Sequence, residues 1–509
     1  MSVRARLPRP FHSGPRRINA ARPDRPRLVS GRPQVVVIGG GIAGVTAALL
    51  LAERGVKVAL IERENQLGGR LGAWPRTSRD GGRQMIGHGF HGFFHQYYNW
   101  RNVLRRIDPE LAFLRPLGRY PVISRQWPQE RVTTARPPWN MLAVLAGSPS
   151  LRLRDLRTVN SRAALAMLSY ARDQTYREFD HTSAADFLDL LGLPARARRM
   201  IFDVFAHSFF NHQTDMSAAE MIMLFHFYFL GNPEGLTFDA PADDYQTVIW
   251  APLAAQLLAL GVDIRTSTQV DHLERGWFVV QRGGARLRAD EVVLATDPGS
   301  ARTLVAASPD VMAQAPRLSE QIATVRTAPP YAVSRIWTDR TVAANRAPFT
   351  GVSAESTLDS VTACHVLERA AGQWARRTGG SVLELHAYAA AERTAAATLG
   401  ERMWSELTAL WPETAGMSVV DRDDRVGEDA PAFPPGGDAT RPGVFTDTSG
   451  LYLAGDWVRL AMPSALMERA AASAMVAANH ILGRYGAQPA PVYSVPARGL
   501  GSSWHDRAG

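Results

Sequence analysis

The feature that most constrains this chain is a glycine triplet placed where a strand hands over to a helix. Val35, Val36, Val37 and Ile38 form the apolar run expected of a strand covered on both faces, and the run ends in Gly39-x-Gly41-x-x-Gly44. A helix is predicted from Ile42 to Arg54 with Gly55 as its C-terminal cap, followed by a second strand from Val56 to Glu62. In such a βαβ unit the first glycine permits the tight turn and the second lets backbone approach a pyrophosphate. The third lets helix and strand touch, and the helix start, including Ala43, offers aligned N–H groups to an anion. Glu62 lies 18 residues after Gly44, close to the offset of about 20 at which a carboxylate accepts hydrogen bonds from ribose hydroxyls, and Arg63 follows it. A carboxylate there disfavours a 2′-phosphate, which leaves FAD or NAD ahead of NADP.

Three further features favour FAD. Gly68-Gly69-Arg70 makes a loop whose glycines allow backbone contact and whose guanidinium suits phosphate oxygens. Near the other end, Leu451 to Ala454 reads as a buried strand running into Gly455-Asp456, a pair suited to bonding a ribityl chain. Pro463 and Ser464 then open a helix whose early face, Met467 to Ala474, is small enough for close approach, and whose positive end suits charge at N1 and O2 of a reduced flavin. An ordinary core helix is the competing reading of that last segment.

Composition limits the rest. Nine arginines against Asp24 place +8 of the net +9 in the first 33 residues, so the remaining body is nearly neutral. A nucleic-acid partner is not expected, since its basic footprint would have to lie on a folded domain. Six prolines and few large apolar residues mark 1–33 as a disordered arm. The one cysteine, Cys364, rules out an intrachain disulfide and reads as a buried thiol. No apolar run reaches about 18 residues and the arm has no apolar signal core, so a cytoplasmic protein without a transmembrane helix is expected. The stretch 151–230 is rich in helix formers, 262–295 alternates like strands, 331–420 mixes both, and the chain from Gly486 onward reads as a loose tail.

The glycine triplet, Glu62, Gly68-Gly69-Arg70 and Gly455-Asp456 together resemble the amine oxidase and phytoene desaturase superfamily of FAD proteins, over roughly Gln34 to Gly483. That resemblance implies an α/β fold: a discontinuous, GR2-like Rossmann-type FAD-binding domain with an inserted α+β substrate domain. The expected partition is a 1–33 arm, an FAD-binding domain from 34–120, 246–330 and 440–485, a substrate and membrane-facing domain from 121–245 and 331–439, and a tail from 486. It also implies a strand around Val262 to Val270 that sets the Val270 backbone near adenine. Amine oxidases of the superfamily usually keep a lysine that contacts flavin N5 through water. The sole lysine here, Lys57, sits on the turn into the second strand and is not expected to reach that place.

The segment from Met85 to Asn99 carries His88, Phe90, His91, Phe93, Phe94, His95, Tyr97 and Tyr98, and from Gly89 it is similar to a G-x-H-x-F-F-x-x-Y-N pattern of carotene desaturases, with one extra tyrosine. Gly89 and Gly92 break the helix that would align the histidines, so no metal site is expected. Longer stretches, among them Phe225 to Gly235, Thr378 to Tyr388 and Ala461 to Ala471, resemble the carotenoid φ-ring synthases. The resemblance implies an oxidoreductase acting on β-carotene or a related cyclic carotene, with hydride removal, a 1,2-methyl shift and aromatisation of the ring. A carotene desaturase, a redox-dependent cis-trans isomerase, or a carotenoid or prenyl carrier with structural FAD are the alternatives. Phe90, Phe93, Phe94, Tyr97, Tyr98 and Trp457, with His88, are the candidate substrate wall, where aromatic faces stabilise a cation. His91 is the candidate base. A water-insoluble substrate implies peripheral contact with the inner face of the cell membrane, through Met221 to Leu230 and Trp139 to Leu145 beside the arginines of 152–162, although either segment also reads as core. A membrane quinone is a reasonable electron acceptor.

Overall fold

A strand apolar on both faces must be covered on both, and Gln34–Ile38 meets that demand from the middle of a sheet. The computed structural model describes residues 15–79, 81–132, 135–136, 139–390 and 393–499. In it, five parallel strands run in the order Asp263–Arg265, Lys57–Ile61, Gln34–Ile38, Glu291–Leu294, Leu451–Leu453. The helix Ile42–Ala52 is buried along its whole length, between this sheet and the helix Leu466–Arg484. That explains its lack of a polar face. A Cβ on Gly44 would lie 1.8 Å from the Gly39 carbonyl oxygen, so strand turn and helix touch there without a side chain between them. Gly44→Ala should therefore destabilise the protein by about 1–3 kcal/mol. Gly41→Ala, whose Cβ would meet only the Gly69 Cα at 3.8 Å, should leave the melting temperature of the cofactor-free protein nearly unmoved. Equal melting temperatures for the two variants would refute this account of the turn.

A second, seven-stranded sheet stands apart from the first, in the order Val419–Gly427, Tyr331–Thr338, Val382–Ala387, Ser360–Ala363, Phe349–Val352, Pro121–Ile123, Glu130–Arg131. Its pairings are antiparallel except that between Phe349–Val352 and Pro121–Ile123. The fold is thus mixed α/β, with a parallel sheet at one end of a cavity and an antiparallel one at the other. Phe93–Phe94, Phe238–Pro241 and Leu114–Leu117 form a small sheet between contributions from early and middle parts of the chain. Cys364 is buried and free.

Three expectations need correction, and one open reading is decided. Residues 15–33 do not hang free: Arg16–Arg17 pairs with Tyr493–Ser494, the Ile18 N–H donates to the Val492 carbonyl (2.9 Å), and the Asn19 amide donates to that of Ala490 (2.8 Å). The first fourteen residues lie outside the described set. Nor is 486–499 loose, because Ala487, Ala490, Val492 and Val495 are buried and the Asn99 side chain exchanges two hydrogen bonds with the Tyr493 backbone. Proline and glycine exclude regular elements there, yet irregular backbone packs well when its polar groups find partners. The expected strand Val262–Val270 is two strands in two sheets, Asp263–Arg265 and Val270–Glu274, parted by a turn with Ser267 at φ 51°. Finally, Met221 to Leu230 is core: all of it is buried but half-buried Phe229, and its rings stack on Tyr97 and Phe202 and meet Phe94 and Phe205 edge-on.

Candidate active site

The turn after the first strand opens a cavity of about 1430 Å³, larger than the roughly 300–1,000 Å³ of an ordinary ligand pocket. Gly39, Gly41, Ala43, Glu62, Arg63, Gly68, Gly69, Arg70, Val270, Gly455, Asp456 and Met467 all line it. Gly44 does not, being spent on the helix contact described above.

Each of these positions is held by local chemistry. Gly39 takes φ 106° with the Ala295 carbonyl 2.6 Å from where a Cβ would sit. Gly41 caps the helix with no side-chain hydrogen bond, so the helix start is left to a ligand. The Glu62 carboxylate accepts the N–H of Gly40 (2.6 Å) and of Glu64 (2.9 Å), which locks it at the end of its strand. The Gly68 N–H donates to the Gly40 carbonyl (3.0 Å), strapping the second glycine loop across the first. From the other end of the chain, Gly455 at φ 150° donates its N–H to Ser473 Oγ (2.8 Å) on the long C-terminal helix. Arg63 leans outward onto Ser300 Oγ (3.2 Å).

Arg70 closes the ring differently from what its position suggests. Its guanidinium meets Asp456 at 2.6 Å, tying the N-terminal loop to the acid tip of the final strand. Burial works against its charge, but Asp456 and Asp429 outweigh that and raise it above the ordinary arginine value. Asp429 in turn accepts the Tyr331 hydroxyl (3.0 Å), and Asp429, Arg425 and Tyr331 extend this charged strip along the cavity. None of these three stood out in the sequence.

Beyond the strip the lining turns aromatic. Phe90, Phe94 and Tyr97 reach it, as do His88 and His91, whereas Phe93, Tyr98 and Trp457 do not. Phe93 is core, and Trp457 donates its indole N–H to the Thr296 carbonyl (2.9 Å). Tyr120, Phe205, Tyr228, Phe238 and Phe349 complete the wall from segments far apart in the chain. The Tyr97 and Tyr228 hydroxyls share a 2.6 Å hydrogen bond.

The three histidines of the Met85–Asn99 segment diverge. His88 lies edge-on to Trp74, and burial lowers its basicity. His95 sits outside the cavity, paired with Asp239 (2.9 Å). His91 donates from Nδ1 to the Gly89 carbonyl (2.9 Å), and burial holds its imidazole down at about 4, so it is a weak proton acceptor at neutral pH. A fourth histidine was missed by sequence reasoning. His386, on the strand Val382–Ala387, lines the cavity with Nε2 3.0 Å from Glu384 Oε1 and 3.2 Å from the Phe90 N–H. Among the described residues no group of three or more His, Cys, Asp or Glu is placed to hold a metal ion.

Residues 42–482 match the model of the flavin containing amine oxidoreductase family. The chain belongs to that family. A carotenoid φ-ring synthase of Streptomyces griseus is 42% identical over 480 residues, covering 93% of this chain and 92% of that protein. Another of Chlorobaculum tepidum is 27% identical over 593 aligned positions, covering 92% and 91%. Among solved structures, putrescine oxidase bound to putrescine superposes with a TM-score of 0.64 at 18% identity, over 89% of this chain and 100% of the other, a likeness of fold alone.

As a member of this flavin family the protein is an FAD-dependent oxidoreductase, and its cavity fits the cofactor. The uncapped helix start, the glycines that leave backbone bare and the two carboxylates, Glu62 and Asp456, lining the same cavity are the donors and acceptors a flavin dinucleotide demands. Lys57 is exposed at the opening of its strand, at the end of the sheet away from the glycine turn.

Proposed function

We propose that this flavoenzyme converts the β-ionone rings of β-carotene, or of a related cyclic carotene, into aromatic φ-rings by desaturation with a 1,2-methyl shift. The likeness to the Streptomyces φ-ring synthase along nearly the whole of both chains carries the reading. The aromatic wall facing the cofactor end of the same cavity supports it. The proposed division of labour gives 34–120, 246–330 and 440–485 to the cofactor, and 121–245 and 331–439 to the substrate. Gly39, Gly41 and Ala43 would face the pyrophosphate, with Gly44 holding the turn against its helix, Glu62 and Arg63 the ribose side, Val270 the adenine, and Gly455, Asp456 and Met467 the flavin end. Bound FAD supplies a two-electron acceptor. The chain's own residues do the rest: Phe90, Phe94 and Tyr97 present ring faces to a cationic ionone ring, and the buried wall keeps water from capturing that cation while the methyl migrates.

No helix among the described residues is long and apolar enough to cross a membrane. With Met221 to Leu230 in the core, peripheral contact with the inner membrane face falls to exposed Trp139 (67%), Leu153 (71%) and Leu156 (43%), interleaved with exposed Arg152, Arg154, Arg157 and Arg162. The helix Trp139–Gly147 also lines the cavity through Asn140, Ala143, Val144 and Gly147, so a substrate passing from lipid would enter beside it. A quinone is the proposed electron acceptor.

Expression in β-carotene-producing cells, with pigments read by mass and absorption, tests the chemistry. A loss of four hydrogens per ring is expected; unchanged mass with altered geometry would make the protein an isomerase, and unchanged pigment a carrier. Flotation with anionic liposomes tests the surface. Trp139→Asp with Leu153→Asp should abolish flotation and leave FAD bound, and flotation equal to wild type would remove this face from the proposal.

A further inference from the structure

The helix Tyr98–Leu104 begins where the aromatic wall ends, and its own sequence does not cap it. Tyr97 stands at its N-cap without a side-chain hydrogen bond, so the N–H groups of the first turn need an acceptor from elsewhere. Glu468 supplies it from the helix Leu466–Arg484, which packs on this one. Its carboxyl group accepts the Asn99 N–H on both oxygens (3.0 and 3.1 Å), the Trp100 N–H on Oε2 (3.0 Å) and the Asn99 side-chain amide on Oε1 (2.6 Å). Glu468 is 2% exposed, and no arginine, lysine or histidine pairs with it among the described residues. A carboxyl group buried without a cation is tolerated where N–H donors meet it, so the two helices hold one another at a fixed spacing.

What the helices carry gives that spacing a use. Leu466, Met467 and Ala470, on the turn that bears Glu468, line the cavity at the end assigned to the flavin. Leu466 takes φ 47°, a left-handed conformation that a leucine keeps only when its surroundings over-determine it. From the other helix, Tyr97 lines the same cavity immediately before the capped turn, with Phe94 beside it. Behind them the Trp100 ring lies against Trp250, whose indole N–H donates to the Leu71 carbonyl (2.8 Å), next to Gly68-Gly69-Arg70. Glu468 itself does not line the cavity.

We propose that Glu468 is a positioning residue of ring aromatisation: by capping Tyr98–Leu104 from the neighbouring helix, it sets Phe94 and Tyr97 at their working distance from the flavin. The inference rests on the φ-ring reading and deepens it. With the cap gone, the ring faces drift from the cation they stabilise, and the oxidation that forms it slows. The same drift admits water, whose oxygen bonds to the cationic ring carbon while its proton leaves to solvent, so that an alcohol forms in place of the aromatic ring.

The test uses the full-length, FAD-loaded enzyme with β-carotene in liposomes. Glu468→Gln keeps the length and one acceptor oxygen, Glu468→Ala removes both, and Asn99→Ala cuts the side-chain link from the other helix. Rates are taken per bound flavin, well below the lowest melting temperature, so that lost stability does not enter them. The maximal rate of Glu468→Ala should fall about 10²-fold with KM within about threefold of wild type, and Glu468→Gln should recover part of that loss. Alcohol by-products should rise in the same order. Glu468→Gln and Asn99→Ala carry the test where alanine at 468 does not fold, and in the double variant their effects should overlap, since both cut one link. Maximal rates within about threefold of wild type in every variant that folds, a loss confined to KM, or effects that multiply in the double variant would overturn the assignment. A wild type that makes no aromatic product would instead overturn the φ-ring reading, and is measured first.

Discussion

Alanine at position 220 is expected to cost the folded protein about 3–5 kcal/mol, the usual result of stripping one partner from a buried ion pair. Glu220 is 1% exposed on the helix Ala218–Phe225. Its carboxylate pairs closely with Arg469 and accepts Arg441 Nη2 (3.1 Å) and the Tyr176 hydroxyl (2.6 Å). Arg469 spends its other N–H groups on the Ser464 carbonyl (2.9 Å from Nε) and the Asp456 carbonyl (3.3 Å from Nη1). Without Glu220 two guanidinium groups stay buried with less than their complement, and the loop at the flavin end of the site loses its anchor. A large fall in melting temperature with weaker FAD retention is the expected readout; a melting temperature equal to wild type would show the network to be dispensable. The same carboxylate sets an acid limit. Burial pushes it up, but Arg469 and Arg441 prevail and hold it at about 2, below the unfolded value. The unfolded chain therefore takes up the proton first, and stability present above pH 4.5 is lost as pH falls toward 2, by about 3 kcal/mol in all. Glu220→Gln should lack that dependence.

Glu62→Ala should weaken FAD binding about 10- to 150-fold, the equivalent of one charge-assisted hydrogen-bonding group. The carboxylate has two tasks in the geometry: it takes the Gly40 and Glu64 N–H groups, and it presents an anion to the cavity. Glu62→Gln keeps one acceptor oxygen and should fall between wild type and alanine. Titration of the apoprotein with FAD, followed by quenching of flavin fluorescence, measures both. An unchanged dissociation constant in the alanine variant would place the ribose elsewhere.

The cofactor half of the site was open to reading from the chain because its requirements are local. Gly39, Gly41 and Gly44 answer to backbone geometry within one turn, and Glu62 and Gly68 follow on the next strand and loop. The substrate half was legible only in the Met85–Asn99 segment, through His88, Phe90, His91, Phe94 and Tyr97, since Tyr228, Phe238, Phe349 and His386 join them only when separate sheets close on one cavity. Their neighbours in sequence gave no periodic or spacing signal. Met221 to Leu230 shows the opposite difficulty: an all-round apolar helix suits a protein core and a lipid surface equally, and only the rings of Phe94, Tyr97 and Phe205 packed on it decide for the core. The two termini misled for a related reason. A proline-rich stretch excludes helix and sheet interior, but it says nothing about whether Asn99 stands ready to receive the backbone of Tyr493.

The Arg70–Asp456 pair has a consequence for how the protein is made. The glycine turn leaves the ribosome roughly 400 residues before the acid that completes the flavin trough, and the strand Leu451–Leu453 joins its sheet only after that wait. A nascent chain is thus unable to complete its flavin trough until that strand has been made, and a chain cut short ahead of it should accumulate colourless.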